Sequence, residues 1–366
     1  MRSIELFAGA GGLGLGVAEA GFDHAAVVEW DRWACDTLKD NKPWPVTQGD
    51  VRVMSYGLGT IDLVSGGPPC QPFSLGGKHN AHLDHRDMFP EAIRAVRELQ
   101  PRAFVFENVK GLTRATFQNY LSYIRLQLAH PEVTARPDEP WIDHLGRLER
   151  HETSGSNSGL RYNVVLRLLN AANHGVPQRR ERIFLVGFRS DLGVEWRFPD
   201  ETHSSAALAW SLTHEEEYFD RHRIGRAERR LLREAAPRIK GDKPTALPWL
   251  TVRDAFLGLP DPELEPKAAK GFPDHRFIPG ARSYPGHTGS PLDAPAKTLK
   301  AGVHGVPGGE NMLRRPDGSI RYFSVREAAR IMALKGAEII ASLSAWPAAR
   351  TATAENLQED RWTYRF

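Results

Sequence analysis

A glycine-rich turn near the start of the chain constrains the fold more than any other feature. A short apolar run at residues 4–7 predicts a strand, and a helix is predicted after the turn, up to Ala20. Gly9, Gly11 and Gly14 have the spacing G-x-G-x-x-G, which lets a backbone approach a nucleotide closely. The sequence therefore predicts a nucleotide-binding strand, turn and helix, and a glycine-rich turn without a ligand is the alternative.

Acidic residues follow this turn at the spacing that a nucleotide site requires. Glu29 ends the next predicted strand, 25–29, where a carboxylate accepts hydrogen bonds from ribose hydroxyls. Trp30 is suited to lie against an adenine ring, and Asp50 follows a third strand, where it is suited to accept from the adenine amino group. Ordinary packing of Trp30 and a solvated Asp50 are the alternatives. This pattern alone does not separate a dinucleotide from S-adenosylmethionine.

Short apolar runs and helical segments alternate over the first half of the chain. Residues 62–65, 103–106 and 182–188 are predicted to be strands, and residues 87–99 have helical spacing. Strands that alternate with helices indicate a parallel sheet that is covered on both faces. We therefore expect an α/β fold with a Rossmann-like sheet.

A loop with a single cysteine directly follows one of these strands. Two glycines and three prolines surround Cys70 in the loop 66–74, at the carboxyl end of a strand, where open α/β sheets bind ligands. Cys70 is therefore a candidate nucleophile, and a buried inert thiol is the alternative. Cys35, in a predicted helix, suits that alternative better. Two cysteines are too few for a disulfide framework or a zinc ribbon.

Composition and charge exclude several classes of protein. The chain has 366 residues, 41% hydrophobic and 25% charged, which argues against disordered, collagen-like and coiled-coil proteins. We expect a cytoplasmic protein, because no apolar run is long enough for a membrane span or a secretory signal. The segment 221–243 carries nine Lys or Arg against three acidic residues, and it is either a phosphate contact or a solvated helix face.

Five short motifs stand in a fixed order along the chain: Phe7-Ala-Gly-Ala-Gly-Gly, Glu29-Trp30, Pro68-Pro-Cys-Gln, Glu107-Asn108-Val109 and Gln178-Arg-Arg-Glu-Arg-Ile. In this order they resemble the motifs of the cytosine-5 DNA methyltransferases of bacterial restriction-modification systems. The resemblance covers residues 3–188 and resumes at 321–332.

The resemblance implies that the sheet is that of an S-adenosylmethionine-dependent methyltransferase, with S-adenosylmethionine as the cofactor and no metal. It implies one set of cofactor-binding residues: Phe7, Gly9, Gly11, Gly12, Glu29, Trp30, Asp50 and Val51.

The resemblance also implies a covalent mechanism. The thiolate of Cys70 would add to carbon 6 of a cytosine flipped out of duplex DNA, so that carbon 5 becomes nucleophilic. Glu107, which would end the strand 103–106, would stabilise or protonate ring nitrogen 3. Arg182 would hold oxygen 2, and Arg180 would support the loop. Without the resemblance, a salt-bridged surface acid and a solvated charge run would be the preferred interpretations.

The resemblance divides the chain into three parts. Residues 1–188 would form the catalytic and cofactor-binding domain, with a polar surface insertion at about 131–158. Residues 189–320 would form a smaller, irregular target-recognition domain, in which the segment 295–305 resembles the family's Thr-Leu element. Residues 321–366 would return to the catalytic domain as a helix that begins after the N-cap Ser324.

One motif of the family is not found. Family members carry a Gly-Asn-x-Val segment that helps to close the cofactor pocket, and neither the residues after Met332 nor those before Ser3 contain it. A change of reading frame or a second polypeptide that supplies the segment would explain this. We expect weak cofactor binding as a consequence.

The expected partners are duplex DNA and, functionally, a restriction endonuclease. Three alternatives stay open: a catalytically impaired DNA-binding relative, a transfer-RNA methyltransferase of the same family, and a nicotinamide oxidoreductase. The transfer-RNA enzyme would carry a Cys-Phe-Thr element, but no cysteine follows Cys70. The oxidoreductase would leave the cysteine loop unexplained.

Overall fold

A seven-stranded sheet forms the centre of the computed structural model, which describes residues 1–70, 87–155, 159–299 and 310–332. The strand order is β3-β2-β1-β4-β5-β7-β6. The strands are β1 (Arg2–Leu6), β2 (Asp23–Glu29), β3 (Val46–Gln48), β4 (Leu63–Gly66), β5 (Ala103–Val109), β6 (Tyr162–Asn170) and β7 (Glu181–Arg189). The predicted α/β class is therefore confirmed.

The sheet is mixed, whereas the sequence predicted a parallel one. The five strands β3, β2, β1, β4 and β5, in their order across the sheet, pair in parallel. Strand β7 runs antiparallel to both β5 and β6. The short connection 171–180 explains the difference, because a parallel crossover needs a longer segment, usually with a helix. The sequence reasoning also missed β6, an edge strand whose side chains are mostly only half buried.

Helices cover both faces of the sheet, as predicted. On one face, Phe104 and Phe106 pack with residues of α3 and α4. On the other face, Leu63 and Val105 pack with Val17 of α1. The helices of this part are α1 (Gly12–Glu19), α2 (Arg32–Asn41), α3 (Phe89–Leu99), α4 (Gln118–Ala129) and α5 (Trp141–Thr153).

The expected polar insertion at 131–158 contains helix α5. Leu145 and Leu148 of α5 are buried against Leu126 of α4, together with His144, whose ring is hydrogen-bonded to the hydroxyl of Tyr123. This segment therefore adds a small core of its own beside the sheet.

The second part of the chain is more helical than the irregular domain that we expected. Helices α6 (Ser205–His214), α7 (Glu217–Arg221) and α8 (Arg226–Ala235) follow one another closely. The remaining elements are β8 (His203–Ser204), β9 (Leu247–Pro248), α9 (Val252–Ala255), α10 (Pro266–Ala269), β10 (Ser290–Pro291), β11 (Met312–Arg314), β12 (Ile320–Tyr322) and α11 (Val325–Ile331).

Helix α11 begins with the predicted capping box between Ser324 and Glu327. Its Ile331 lies in an apolar cluster with Val252 and Phe323, so the helix packs on the second part of the chain. The return of residues 321–366 to the catalytic domain stays a prediction. The tail after Met332 lies outside the described residues. None of the described helices is long and apolar enough to cross a membrane.

Candidate active site

The turn after β1 is joined to the end of β2 through one carboxylate. Oε2 of Glu29 accepts a hydrogen bond from the N–H of Gly9 at 2.7 Å, and Oε1 accepts from the N–H groups of Trp30 and Asp31 at 2.8 Å each. A carboxylate has about four acceptor positions, so one is left for a ligand. Gly9 and Gly11 have φ values of 54° and 89°, which glycine adopts without strain.

The backbone of this turn is open to a ligand. A Cβ placed on Gly9 or Gly12 would meet no atom within 4 Å, so a ligand can approach the backbone there. Trp30 is 66% exposed and leaves its ring available for stacking. Phe7, half-buried at the start of the turn, has a positive φ of 55°. These four residues and Glu29 lie around one turn, and their cofactor role stays a prediction.

Asp50 and Val51 are placed differently from the other predicted cofactor residues. Both carboxylate oxygens of Asp50 are bound by Arg52, whose Nη2 lies 2.6 Å from Oδ2. These hydrogen bonds lower the pKa of Asp50. Val51 is buried in the core cluster on one face of the sheet. The structure therefore does not present either side chain freely to a ligand, and their cofactor role stays a prediction.

Two glycines allow β4 to end close to its neighbours. A Cβ on Gly66 would lie 2.2 Å from the carbonyl oxygen of Leu6, so only glycine fits at this point. A Cβ on Gly67 would lie 3.5 Å from Oε2 of Glu107. The start of the cysteine loop is therefore adjacent to the carboxylate of Glu107.

The cysteine loop is held from two sides as far as Cys70. Nδ2 of Asn108 donates to the carbonyl oxygen of Pro68 at 2.9 Å, and the N–H of Met88 donates to that of Pro69 at 2.9 Å. Sequence reasoning gave Asn108 no role, although a buried amide in a strand requires a partner. Residues 71–74 of the loop lie outside the described residues.

The thiol of Cys70 is buried beside a carboxylate. Cys70 is 7% exposed, and burial raises the pKa of its thiol, as does the negative charge of Asp87. The hydroxyl of Tyr120 donates to Oδ2 of Asp87, and the N–H of Phe89 donates to Oδ1 at 3.1 Å. The thiol is therefore protonated in this arrangement and must lose its proton before it can attack. Sequence reasoning missed Asp87 and Tyr120.

Glu107 and Arg182 face each other across two antiparallel strands. We predicted that Glu107 ends the strand 103–106. Strand β5 instead continues to Val109, so Glu107 lies within it. Val109 pairs with Arg182 of β7, and Nε of Arg182 lies 2.7 Å from Oε1 of Glu107. The structure thus joins two predicted catalytic residues in one ion pair.

Arg180 lies beside this pair, with its guanidinium largely withdrawn from water. Burial lowers its pKa to about 10, and the like charge of Arg182 contributes. Nη1 of Arg180 donates to the carbonyl oxygen of Leu299 at 3.5 Å, which is a long contact. Arg180 thus connects the ion pair to the second part of the chain.

Backbone hydrogen bonds fasten the arginine segment to the element that resembles the Thr-Leu motif. The N–H of Arg179 donates to the carbonyl oxygen of Ala296 at 2.8 Å, and the N–H of Ala296 donates to that of Pro177 at 2.9 Å. The hydroxyl of Thr298 donates to the carbonyl oxygen of Arg179 at 2.8 Å. The two parts of the chain therefore meet next to Glu107 and Arg182.

These contacts bring the start of the cysteine loop, the carboxylate of Glu107 and two guanidinium groups together near the carboxyl end of β4, next to the strand that carries the nucleotide turn. Such a set can attack an electron-poor ring and stabilise the charge that develops on it. Among the described residues, no group of three or more His, Cys, Asp or Glu side chains is arranged to hold a metal ion.

Solved structures share the fold. The Dnmt2 methyltransferase of S. pombe has a TM-score of 0.50 and 15% identity, over 94% of this chain and 93% of that one. A prophage-encoded protein of E. coli, described as a DNA modification methyltransferase, has a TM-score of 0.54 and 20% identity, over 94% of this chain and 98% of that one. At these identities the likeness concerns the fold alone.

Sequence relatives match slightly more than half of the chain. The Type II methyltransferase M.NgoMIV of Neisseria gonorrhoeae is 38% identical over 200 residues, 54% of this chain and 55% of the relative. M.AquIA of Picosynechococcus is 39% identical over 219 residues, 57% of this chain and 79% of the relative. The match thus spans about half the length of the first relative and most of the second.

The chain also matches a family description over more than half its length. Residues 1–130 and 154–240 match the family described as C-5 cytosine-specific DNA methylase, and the gap between them contains α5. The match includes the nucleotide turn, Cys70, Glu107 and Arg182. The chain therefore belongs to the C-5 cytosine-specific DNA methylase family.

Proposed function

We propose that this chain transfers a methyl group from S-adenosylmethionine to carbon 5 of cytosine within a short sequence of duplex DNA. Its role would be to protect that DNA from a cognate restriction endonuclease. The observation that carries the proposal is the position of Cys70, in a loop tied down by Asn108 and adjacent to the paired Glu107 and Arg182.

Cys70 performs the first covalent step in this proposal. After its proton is lost, Sγ bonds to carbon 6 of the cytosine and pushes electron density toward carbon 5 and ring nitrogen 3. S-adenosylmethionine, when bound, supplies an electrophilic methyl group on sulfur. Once carbon 5 is methylated and has lost its proton, Sγ leaves as a thiolate and the ring regains its aromaticity.

Glu107 and Arg182 stabilise the ring while Cys70 is attached to it. The carboxyl of Glu107 contacts ring nitrogen 3, and the guanidinium of Arg182 donates to oxygen 2, where negative charge develops. Arg182 uses Nε for Glu107 and Nη1 for the carbonyl oxygen of Glu181. A guanidinium has about five N–H donors, so donors are left for the base.

The cofactor and the DNA occupy different parts of the molecule in this proposal. Gly9, Gly11, Gly12, Glu29 and Trp30 hold S-adenosylmethionine, with Phe7 at the start of the turn. A stacked cytosine cannot present carbon 6 to a buried thiol, so the base is flipped out of the duplex. Residues 189–320 recognise the DNA sequence in this proposal, because the catalytic motifs lie outside them.

Bisulfite sequencing of DNA from bacteria that express the chain tests this function. We expect cytosines that resist bisulfite deamination, because they are methylated, in one short sequence context. We expect none in cells that express Cys70→Ser. Cys35→Ser is the matched control, because it changes the other buried cysteine and leaves the loop intact. Purified protein should also be trapped on duplex DNA that contains 5-fluorocytosine.

Two results would contradict the proposal. Protection of cytosines by Cys70→Ser at the rate of the unmodified chain would exclude the covalent mechanism. DNA binding by the unmodified chain, with no protected cytosine at any site, would support the catalytically impaired relative instead.

A further inference from the structure

The basic segment 221–243 divides into two groups in the structure. Four of its cations form short ion pairs with acidic residues of α7, of α9 or of the two residues between α6 and α7. The pairs are Arg221 with Asp254, Arg229 with Glu216 and Asp220, Arg233 with Glu216, and Lys243 with Glu215. These four cations are therefore engaged in contacts within the local fold.

The other cations point away from this framework. Arg223, Arg226, Arg238 and Lys240 are exposed and form no ion pair within the part of the chain that the structure describes. Arg230 has only a long contact, 3.8 Å, with the exposed Glu234. We call these five residues the arginine strip.

Helix α8 carries the centre of the arginine strip in a fixed orientation. The guanidinium groups of Arg229 and Arg233 lie 5.5 and 5.1 Å from the ring centroid of Phe219, which is fully buried. Glu228 is paired with Arg253 at 2.6 Å. These contacts attach one side of α8 to the domain. Arg226 and Arg230, on the outward face beside it, are exposed to solvent.

The outward face of α8 has the spacing and charge to follow a phosphate backbone. Arg226 and Arg230 are four residues apart, which places them about 6 Å from each other along one face of the helix. Glu228 is occupied by Arg253, and Glu234 is the one acidic residue of α8 that contacts Arg230, at 3.8 Å. The two arginines against this one carboxylate leave the face with a net positive charge. A positively charged helix face that is open to solvent favours contact with a polyanion over recognition of a small molecule.

We propose that the arginine strip binds the phosphate backbone of the duplex DNA on which the chain acts. The proposal rests on the proposed function for the identity of the polyanion. Exposed arginines on an open helix face supply affinity and orientation without reading bases, since phosphates carry no sequence information. The sequence itself would be read elsewhere in the second part of the chain.

The salt dependence of DNA binding tests the arginine strip. Arg226→Ala/Arg230→Ala is titrated with a fluorescent random-sequence duplex of about 20 base pairs, so that no turnover is needed. The logarithm of the DNA association constant falls linearly with the logarithm of the salt concentration. Each lost phosphate contact lowers the magnitude of this slope by about 0.9. For Arg226→Ala/Arg230→Ala we expect the magnitude of this slope to decrease by about 1 to 2 and DNA binding to weaken about tenfold. Arg226→Glu/Arg230→Glu should weaken DNA binding further.

The matched control removes the same charge from another exposed surface. Lys267→Ala/Lys270→Ala changes two exposed lysines at α10 and should keep the slope and affinity of the unmodified chain. Thermal unfolding of both variants checks that they are folded. A slope and affinity of Arg226→Ala/Arg230→Ala equal to those of the control would overturn the proposal.

The outcomes for the arginine strip and for the proposed function are distinguishable. If the unmodified chain methylates cytosine and Arg226→Ala/Arg230→Ala has the same salt slope as that chain, the proposal for the arginine strip is wrong and the proposed function stands. If the slope falls but no cytosine is ever methylated, the strip stands and the function is wrong.

Discussion

Nε of Arg182 lies 2.7 Å from Oε1 of Glu107, and the two residues belong to antiparallel neighbours in the sheet. The register explains this distance, because Arg182 is paired with Val109, two residues beyond Glu107 on the same face of β5. The pair holds the carboxylate and the guanidinium at the point where the cysteine loop begins. In the proposed reaction, both groups are therefore positioned before the base arrives.

Replacement of Arg182 by lysine should impair the chemical step. Arg182→Lys keeps the positive charge but loses the planar set of donors, so one contact to Glu107 or to oxygen 2 is lost. We expect kcat to fall about 100-fold to 1000-fold, with little change in the KM for DNA. Arg102→Lys, at the opposite end of β5, is the control, and an equal kcat in both variants would contradict the role of Arg182.

The charge of Asp87 should control the reactivity of Cys70. Burial and the Asp87 carboxylate both raise the pKa of the thiol, so Asp87→Asn should lower it by removing the charge. An asparagine can still accept the N–H of Phe89 at the start of α3. We expect alkylation of Cys70 by iodoacetamide at pH 8 to become several-fold faster. Peptide mass spectrometry resolves Cys70 from Cys35, and an unchanged rate would contradict this prediction.

The stability of the protein should depend on the titration of Glu5. Glu5 is fully buried in β1, where its carboxyl contacts the hydroxyl of Ser65, and burial raises its pKa to about 8. Because this value exceeds that of the unfolded chain, the neutral carboxyl favours folding at low pH. That contribution is lost as the pH rises from about 4.5 to about 8.

Substitution of Glu5 by glutamine should therefore stabilise the protein only at higher pH. Glu5→Gln should raise the free energy of unfolding at pH 9 by as much as about 5 kcal/mol and have little effect at pH 4. Urea unfolding at the two pH values measures the difference. Glu195→Gln, at an exposed position, should show no such pH dependence. A gain for Glu5→Gln that is equal at both pH values would refute the assignment.

Glu29 should affect both the nucleotide turn and the cofactor. Glu29→Ala leaves the N–H groups of Gly9, Trp30 and Asp31 without their acceptor, so we expect a loss of stability as well as of binding. Calorimetric titration should show S-adenosylmethionine binding weakened by about 1 to 3 kcal/mol. Asp36→Ala, on the exposed side of α2, is the control. Binding of a nicotinamide dinucleotide, with none of S-adenosylmethionine, would contradict the cofactor assignment.

The nucleotide turn and the cysteine loop could be predicted from the sequence because their structure depends on neighbouring residues. Positive φ values at Gly9 and Gly11 require glycine, and the residues that provide them are adjacent in the chain. Cys70 likewise stands in a run of glycine and proline directly after a buried strand. Local patterns of this kind identified the α/β class and the candidate nucleophile.

The partners of the predicted site residues could not be predicted in the same way. Asp50 is occupied by Arg52, and Glu29 is occupied largely by backbone donors, although their residue types equally suited a ligand. The segment 221–243 has nine basic residues. Some form ion pairs within the local fold and others face solvent, but both groups consist of the same residue types, arginine and lysine. Only the packing of α7 and α8 separates them.

The sequence by itself determined where the backbone turns and which side chains are available for chemistry, since these depend on residue type and local spacing. The tertiary structure decided which groups meet. Arg182 reaches Glu107 only because β7 enters the sheet antiparallel, and Arg180 reaches Leu299 only because two distant segments are joined by backbone hydrogen bonds. Contacts between residues far apart in the chain depend on the burial and pairing of whole elements, which no local pattern records.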